Sequence, residues 1–254
     1  MTRLSSMTFQ QAQEVISRGA VALWPIGSTE AHGPHLPLDT DVVIAEQACL
    51  RSVTALTERT GKAAVVLPPL SFTITDFAAP FSGTINLPRE TTLPYVRDVL
   101  IAAAAQGFSA VCMVNAHLEP AHRFMLRDAV KAARPQARCP VGLADPADRR
   151  WSSTLTEEFS SGSCHAGQYE TSLILAANEG RVRTDLQSEL TSNPVPLVER
   201  IKGGAKDFVQ AGAPDAYCGD PAAATIEEGE QSYAQLVEII CSVTAELLEE
   251  PHES

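Results

Sequence analysis

The sequence predicts a layered α/β/α fold with a mainly parallel central sheet. Short apolar runs at residues 20–24, 62–67 and 109–114 are typical of buried strands. They alternate with longer stretches in which apolar residues recur at helical spacing. This alternation indicates parallel strands that are joined by right-handed helical crossovers.

The first half of the chain contains the first two predicted strands. The predicted elements are, in order, helix 6–18, strand 20–24, helix 42–60 and strand 62–67. Thr8 is a suitable N-cap for the first helix, and Gly19 is a suitable stop. Residues 71–87 form a long connection with few helix signals, and such loops in compact domains are usually functional or disordered.

The second half continues the alternation and ends in a long amphipathic helix. The predicted elements are helix 89–107, strand 109–114, helix 122–134, strand 141–143, a helix that ends at Gly180, and helix 226–249. Residues 144–163 and 181–219 are polar and show no clear pattern. Because no repeat or linker divides the chain, we expect residues 1–254 to form a single domain.

Composition excludes several classes of partner. The 254 residues are 44% hydrophobic and 20% charged, which is enough for one sizeable core. The net charge of -12 argues against nucleic acid and anionic membranes, because both select clustered basic residues. No apolar run approaches the ~18 residues of a membrane span, and the N-terminus is polar. We therefore expect a cytoplasmic protein.

The cysteine pattern predicts reduced thiols rather than a disulfide framework, because no two cysteines have CxxC spacing. The six are Cys49, Cys112, Cys139, Cys164, Cys218 and Cys241. Most are expected to be small buried hydrophobic residues. Cys164 lies beside the suspected site, so a thiol nucleophile or metal ligand is an alternative there.

Metal-ligating residue types follow two of the predicted strands. Glu30, His32 and Asp41 follow the first strand, and His117 and Glu119 follow the third. Because the carboxyl ends of parallel strands share one edge of a sheet, we expect these side chains to converge. Imidazoles and carboxylates without thiolates suit Zn, Mn or related divalent ions. Three carboxylates and two imidazoles exceed the needs of one ion, so two ions that share a carboxylate are predicted, with hydrolysis as their chemistry.

Residues 27–41, with the sequence GSTEAHGPHLPLDTD, resemble the signature of the creatininase (creatinine amidohydrolase) family. Residues 81–87, 115–119, 165–172 and 218–229 resemble further family segments in the same order. The resemblance therefore spans most of the chain and implies a creatininase-like fold.

The resemblance also implies roles for individual residues. One ion would be bound by Glu30, Asp41 and His117, and the other by His32, Asp41 and Glu119. Glu170 is a rival or additional ligand, although Glu119 ranks slightly higher because it lies two residues from His117. His165 would be the catalytic proton shuttle. Two further residues, His35 and Asp39, are expected to orient ligands.

Departures from the family pattern identify the residues expected to select the substrate. Creatininases have an aromatic residue where this chain has Leu118, and a tryptophan where it has Ser161 and Gly162. The pocket is expected to include Thr75, Leu118 and Cys164. These changes indicate a substrate other than creatinine.

Together, these observations predict a metal-dependent amidohydrolase with two Zn or Mn ions per subunit. It is expected to cleave a C–N bond in a small cyclic amide, a formamide or a related non-peptide amide. One alternative is a peptidase of the same family that acts on a modified peptide C-terminus. Another is a protein that binds metal or a metabolite without turnover. The resemblance also implies that the protein forms a homo-oligomer, namely a hexamer.

Overall fold

The computed structural model describes residues 2–250, and within them four strands form one parallel sheet. The strands are β1 (Val21–Ile26), β2 (Ala64–Val66), β3 (Val111–Asn115) and β4 (Val141–Ala144). Their order is β2-β1-β3-β4, and every neighbouring pair is parallel. The predicted α/β fold with a parallel sheet is therefore confirmed.

The sheet is covered on both faces, which explains why its strands are apolar without interruption. All six residues of β1 are buried. Val21 and Leu23 pack into the core on one face, while Ala22 and Trp24 pack into the core on the other. Parallel sheets with helices on both faces have such continuous apolar strands.

Six helices of nine residues or more lie within the described chain and form the outer layers. They are α1 (Phe9–Ser17), α2 (Thr40–Thr60), α3 (Arg89–Ala104), α4 (Pro120–Ala133), α6 (Gln168–Asn178) and α10 (Ile226–Glu249). Buried residues of α2, α6 and α10 belong to the core on one face. Residues of α1, α3 and α4 pack against the core on the other face. The layered α/β/α arrangement follows directly from this division.

Local signals at the helix ends agree with the structure. Thr8 caps α1, and it forms a reciprocal capping box with Gln11. The second helix ends at Gly61, which has the left-handed conformation that favours glycine. The helix predicted to end at Gly180 instead ends at Asn178, and a 3-10 turn follows over Glu179–Arg181.

The two polar stretches without a clear pattern contain short helices. These are α5 (Glu157–Ser161), α7 (Thr184–Gln187), α8 (Leu197–Lys202) and α9 (Phe208–Ala211), together with a 3-10 turn at Ser152–Thr154. Further 3-10 turns lie outside these stretches at Leu4–Ser6 and Pro221–Ala223. Part of this region packs with Phe77 and Phe81 into a third, smaller apolar cluster around Phe208. None of the helices in residues 2–250 combines the length and the hydrophobicity of a membrane span.

A close approach between α6 and α10 provides a test of this packing. A Cβ at Gly229 would collide with the backbone oxygen of Ser172. Gly229→Ala should therefore lower the free energy of unfolding by about 1–3 kcal/mol, because the two helices must separate. Gly180→Ala is the matched control, since its Cβ would meet only the flexible side chain of Asn178. Denaturant unfolding of both variants measures the difference, and equal stabilities would contradict this account.

Candidate metal centre

The central strands β1 and β3 bring the two predicted groups of ligands together. Ile26 at the end of β1 lies opposite Asn115 at the end of β3. Glu30 and His32 lie in the loop after β1, Asp41 lies in the first turn of α2, and His117 follows β3. Adjacent parallel strands therefore place these side chains at one edge of the sheet.

Four predicted ligands lie within contact distance of one another. His117 Nδ1 is 3.2 Å from Glu30 Oε1 and 3.1 Å from Asp41 Oδ2. His32 Nε2 is 3.2 Å from Asp41 Oδ1. The carboxylate of Glu170 joins them, since its Oε2 is 3.5 Å from His32 Nε2. All five side chains are buried.

Three groups of donor atoms could each hold an ion, of which two share Asp41 and the third consists of Glu30, His32 and His165. The first group consists of Glu30, Asp41 and His117, and the second of His32, Asp41 and Glu170. Within each group the donor atoms lie within 4.8 Å of one another. An ion in each of these two groups would share the carboxylate of Asp41.

Backbone carbonyls orient the ring of each histidine. Nδ1 of His32 is 3.1 Å from the carbonyl oxygen of Glu30, and Nε2 of His117 is 3.0 Å from that of Ile74. Because a carbonyl can only accept, these nitrogens are assigned as the N–H donors. In the neutral ring the opposite nitrogen points a lone pair at the carboxylates, as metal-ligating histidines do.

Two polar atoms of this cluster have no hydrogen-bond partner among the described residues. They are His32 Nε2 and Asp41 Oδ2, and both are buried. Leaving such atoms unpaired costs free energy, whereas a cation in each of the two groups would satisfy them. The imidazole and carboxylate donors also match the preferences of Zn and Mn, so the residues fit the predicted ions.

The pKa shifts of these groups also indicate that the cluster requires positive charge. Burial alone would lower the pKa of His32, but the carboxylates of Asp41, Glu170 and Glu30 outweigh burial and raise it to about 10. Burial likewise opposes protonation of His117, yet Glu30 and Asp41 raise its pKa well above the usual range. Burial raises the pKa of Glu170 to about 8. Without a bound cation, the cluster must therefore hold protons to limit its negative charge.

Glu119 has a different environment from Glu170. Its carboxylate accepts hydrogen bonds from the backbone N–H groups of Asp76, at 3.2 Å, and Phe77, at 3.3 Å. It belongs to none of the three donor groups, although it lines the same cavity as His117. Burial raises the pKa of Glu119 to about 7. The structure thus brings Glu170, rather than Glu119, into contact with His32.

His165 lies beside the cluster with its ring held on two sides. Its Nε2 donates to the carbonyl of Ala31 at 2.9 Å, and its ring stacks on Phe208 with 4.1 Å between centroids. The free Nδ1 is 3.9 Å from Glu30 Oε1. Burial and the neighbouring His32 lower the pKa of His165 to about 4. The ring is therefore neutral, with Nδ1 available to accept a proton.

The three predicted pocket residues occupy different positions. Leu118 and Cys164 line the cavity beside the cluster. Thr75 instead contacts the cluster, where its hydroxyl donates a hydrogen bond to Glu30 Oε2.

All six cysteines are free and buried, as predicted. Burial raises the pKa of Cys164 well above its usual range, so the thiol is protonated and a poor nucleophile.

The cavity that contains the cluster has a volume of about 310 Å³. Glu30, Asp41, His117 and His165 line it together with apolar side chains. The large apolar side chains of its wall include Phe77, Leu118, Phe159, Leu197, Ile201 and Phe208. Several of these come from the short helices that the sequence left unassigned.

Sequence reasoning did not identify the network that holds His117. The side-chain amide of Asn115 donates to the backbone oxygen of His117 at 2.8 Å, and its Oδ1 accepts from His122 Nε2 at 3.0 Å. Thr73 then donates its hydroxyl proton to His122 Nδ1 at 2.9 Å. His122 looks like an ordinary helix residue in the sequence, so no local signal distinguishes it.

The two residues that were expected to orient ligands have different environments. Nε2 of His35 forms a hydrogen bond with the hydroxyl of Thr171 at 2.8 Å, whereas Asp39 pairs with Arg181 at the surface.

Glu158 holds the segment that carries His165 and Glu170, and it was also not identified from the sequence. Its carboxylate accepts from the backbone N–H groups of Gln168, at 2.9 Å, and Tyr169, at 2.9 Å, in the first turn of α6. It accepts a third bond, of 2.8 Å, from the N–H of Asp220. A carboxylate in this position satisfies helix N–H groups that lack intrahelical partners.

Comparisons with known proteins agree with this geometry. The family model of the creatininases, described as creatinine amidohydrolase, matches residues 5–244. A mycofactocin precursor peptide peptidase of Mycobacterium ulcerans (strain Agy99) is 32% identical over 225 residues, which cover 85% of this chain and 81% of the relative.

Solved creatininase structures have the same fold. A creatinine amidohydrolase (creatininase) structure superposes with a TM-score of 0.75 at 20% identity, covering 98% of this chain and 99% of the other. A creatininase structure described with Mn superposes with a TM-score of 0.74 at 20% identity and the same coverage. With the family match over nearly the whole length, the chain belongs to the creatininase family of amidohydrolases.

Proposed function

We propose that this creatininase-family amidohydrolase depends on two divalent metal ions. One ion is assigned to Glu30, Asp41 and His117, and the second to His32, Asp41 and Glu170. The observation that carries the proposal is the pair of buried donor groups that share Asp41. Zn and Mn both suit these donors, and a similar fold has been solved as a Mn form of creatininase.

Divalent ions in these positions supply Lewis acidity, which makes water a better nucleophile near neutral pH and polarises an amide carbonyl. His165 supplies the proton transfer. Its neutral Nδ1 accepts the proton of the attacking water and then gives it to the leaving nitrogen. The bond to Ala31 and the stack on Phe208 keep the ring in one orientation during both transfers.

Glu119 is assigned to positioning in this scheme. Its bonds to the N–H groups of Asp76 and Phe77 attach the residue 73–78 loop to the start of α4. The same loop carries Thr75, which bonds Glu30, and Ile74, whose carbonyl orients His117. Glu119 therefore holds the loop that arranges two ligands of the first ion.

The cavity favours an amide with apolar substituents. Its volume of about 310 Å³ lies within the range of pockets that enclose drug-sized ligands. Aromatic and aliphatic side chains form much of its wall. A relative is a precursor peptide peptidase. We therefore assign the amide at the end of a short apolar peptide as the preferred substrate, with small cyclic amides and formamides as the second class.

Metal removal tests the central part of the proposal. Dialysis against a chelator should abolish amide hydrolysis, and Zn or Mn should restore it. Asp41→Asn should lose both ions because Asp41 belongs to both donor groups, whereas the neighbouring Asp39→Asn should keep them. Plasma mass spectrometry of the purified proteins gives the ion count. Full activity in metal-free protein would exclude the proposed chemistry.

Two glutamate variants test the second ion site. Glu170→Gln should reduce the ion count from two to one per chain, because it removes a charged ligand of the second group. Glu119→Gln should retain two ions and change mainly KM, since it loosens the residue 73–78 loop. Metal content and steady-state kinetics of both variants separate the assignments. The reverse pattern would assign Glu119 as the ligand.

Removal of the proton shuttle tests the role of His165. His165→Asn should retain both ions and lower kcat by about 10²–10⁴-fold, as expected for loss of general acid–base catalysis. The assay uses a panel of short apolar peptides, small cyclic amides and formamides, so it also determines the substrate class. Unchanged kcat in this variant would remove His165 from the mechanism. A wild-type protein with two ions and no activity on the panel would favour binding without turnover.

A further inference from the structure

Arg123 is the only Arg or Lys among the described residues that line the cavity. It lies on α4, four residues after Glu119, which corresponds to about 6 Å along the helix axis. The other charged side chains of the lining are carboxylates or belong to the metal cluster. The cavity therefore combines a reactive centre, an apolar wall and one fixed positive charge.

Asp145 holds the guanidinium of Arg123 in a single orientation. Nε of Arg123 is 2.9 Å from Asp145 Oδ2 and 3.2 Å from Oδ1, and Nη2 is 2.9 Å from Oδ2. Asp145 directly follows β4 and is only 4% exposed, so its position is set by the sheet. Nη1 of Arg123 makes no hydrogen bond to any residue of the described chain. Both N–H groups of Nη1 and one of Nη2 thus remain available on a rigid planar group.

A purely structural role for this ion pair leaves part of the arrangement unexplained. Arg127, one turn further along α4, also binds Asp145, with Nη2 at 3.1 Å from Oδ2. Asp145 would therefore keep a cationic partner and its link to α4 without Arg123. Arg127 does not line the cavity, whereas Arg123 does. The ion pair with Asp145 therefore does not by itself explain why Arg123 lines the cavity.

We propose that Arg123 binds a carboxylate of the substrate and thereby determines specificity. A carboxylate inside an apolar cavity needs a charged hydrogen-bond partner, and arginine matches its planar geometry. The preferred substrates are then amides that carry both an apolar side chain and a free carboxylate, such as a peptide C-terminus or an N-acyl amino acid. This inference rests on the proposed function in one respect, namely that the cavity is the substrate pocket.

The test compares two probes that differ only in the charged group. N-acetyl-L-phenylalanine and N-acetyl-L-phenylalaninamide are titrated calorimetrically into the full-length, zinc-loaded protein. The wild type should bind the acid at least about tenfold more tightly than the amide, as expected for a charge-assisted hydrogen bond. Arg123→Gln should bind the two probes equally. Arg127→Gln, which lacks the other partner of Asp145, should keep the wild-type preference.

Two results would overturn the inference. The first is a wild type without a preference for the acid, which includes a wild type that binds neither probe. The second is an Arg123→Gln variant that retains the preference, since the carboxylate would then bind elsewhere, for example to the ions. If Arg123→Gln does not fold, Arg123→Lys is compared with Arg127→Lys. Only Arg123→Lys should weaken the preference for the acid, because lysine cannot reproduce the planar fork of arginine.

Binding and hydrolysis distinguish this inference from the proposed function. A protein that hydrolyses amides without preferring the acid retains the proposed function and contradicts the role of Arg123. A protein that binds the acid through Arg123 but hydrolyses no amide supports the binding site and contradicts the proposed activity.

Discussion

The compensation of negative charge around Asp41 is the constraint on which the rest of the site depends. Three carboxylates, from Glu30, Asp41 and Glu170, are buried together with two imidazoles. Burial of uncompensated carboxylates is costly, so the cluster must contain either protons on its histidines or bound cations. Each imidazole donates one ring N–H to a backbone carbonyl, so its other nitrogen faces the carboxylates and is available to a cation once the ring is neutral.

The parallel sheet makes this cluster possible, and that part was predictable. Strands β1 and β3 are neighbours, so the loops after them meet although His117 is distant from Glu30 in sequence. The apolar strands, the helix caps and the ligand types are local signals that a sequence shows directly. Convergence of Glu30, His32, Asp41 and His117 follows from the general rule that parallel strands end at one edge.

Other features depend on three-dimensional contacts that have no local signal. Proximity in sequence to His117 favoured Glu119, yet Glu119 turns towards the backbone of the residue 73–78 loop and Glu170 reaches His32 from α6. His122 and Glu158 act through hydrogen bonds to distant segments, and neither stands in a recognisable motif. The cavity wall comes from short helices whose stability depends on tertiary packing rather than on periodicity.

The metal cluster and the cavity wall therefore have different origins in this chain. The cluster rests on the central strands and on α2 and α6, while the wall is contributed by loops and short helices that can vary without disturbing the sheet.

The central claim is that two ions share Asp41. Anomalous X-ray diffraction from crystals of the zinc-loaded protein tests it most directly. The account predicts two peaks, one among Glu30, Asp41 and His117 and one among His32, Asp41 and Glu170, whereas a single peak, or a peak bound by Glu119 in place of Glu170, would contradict it.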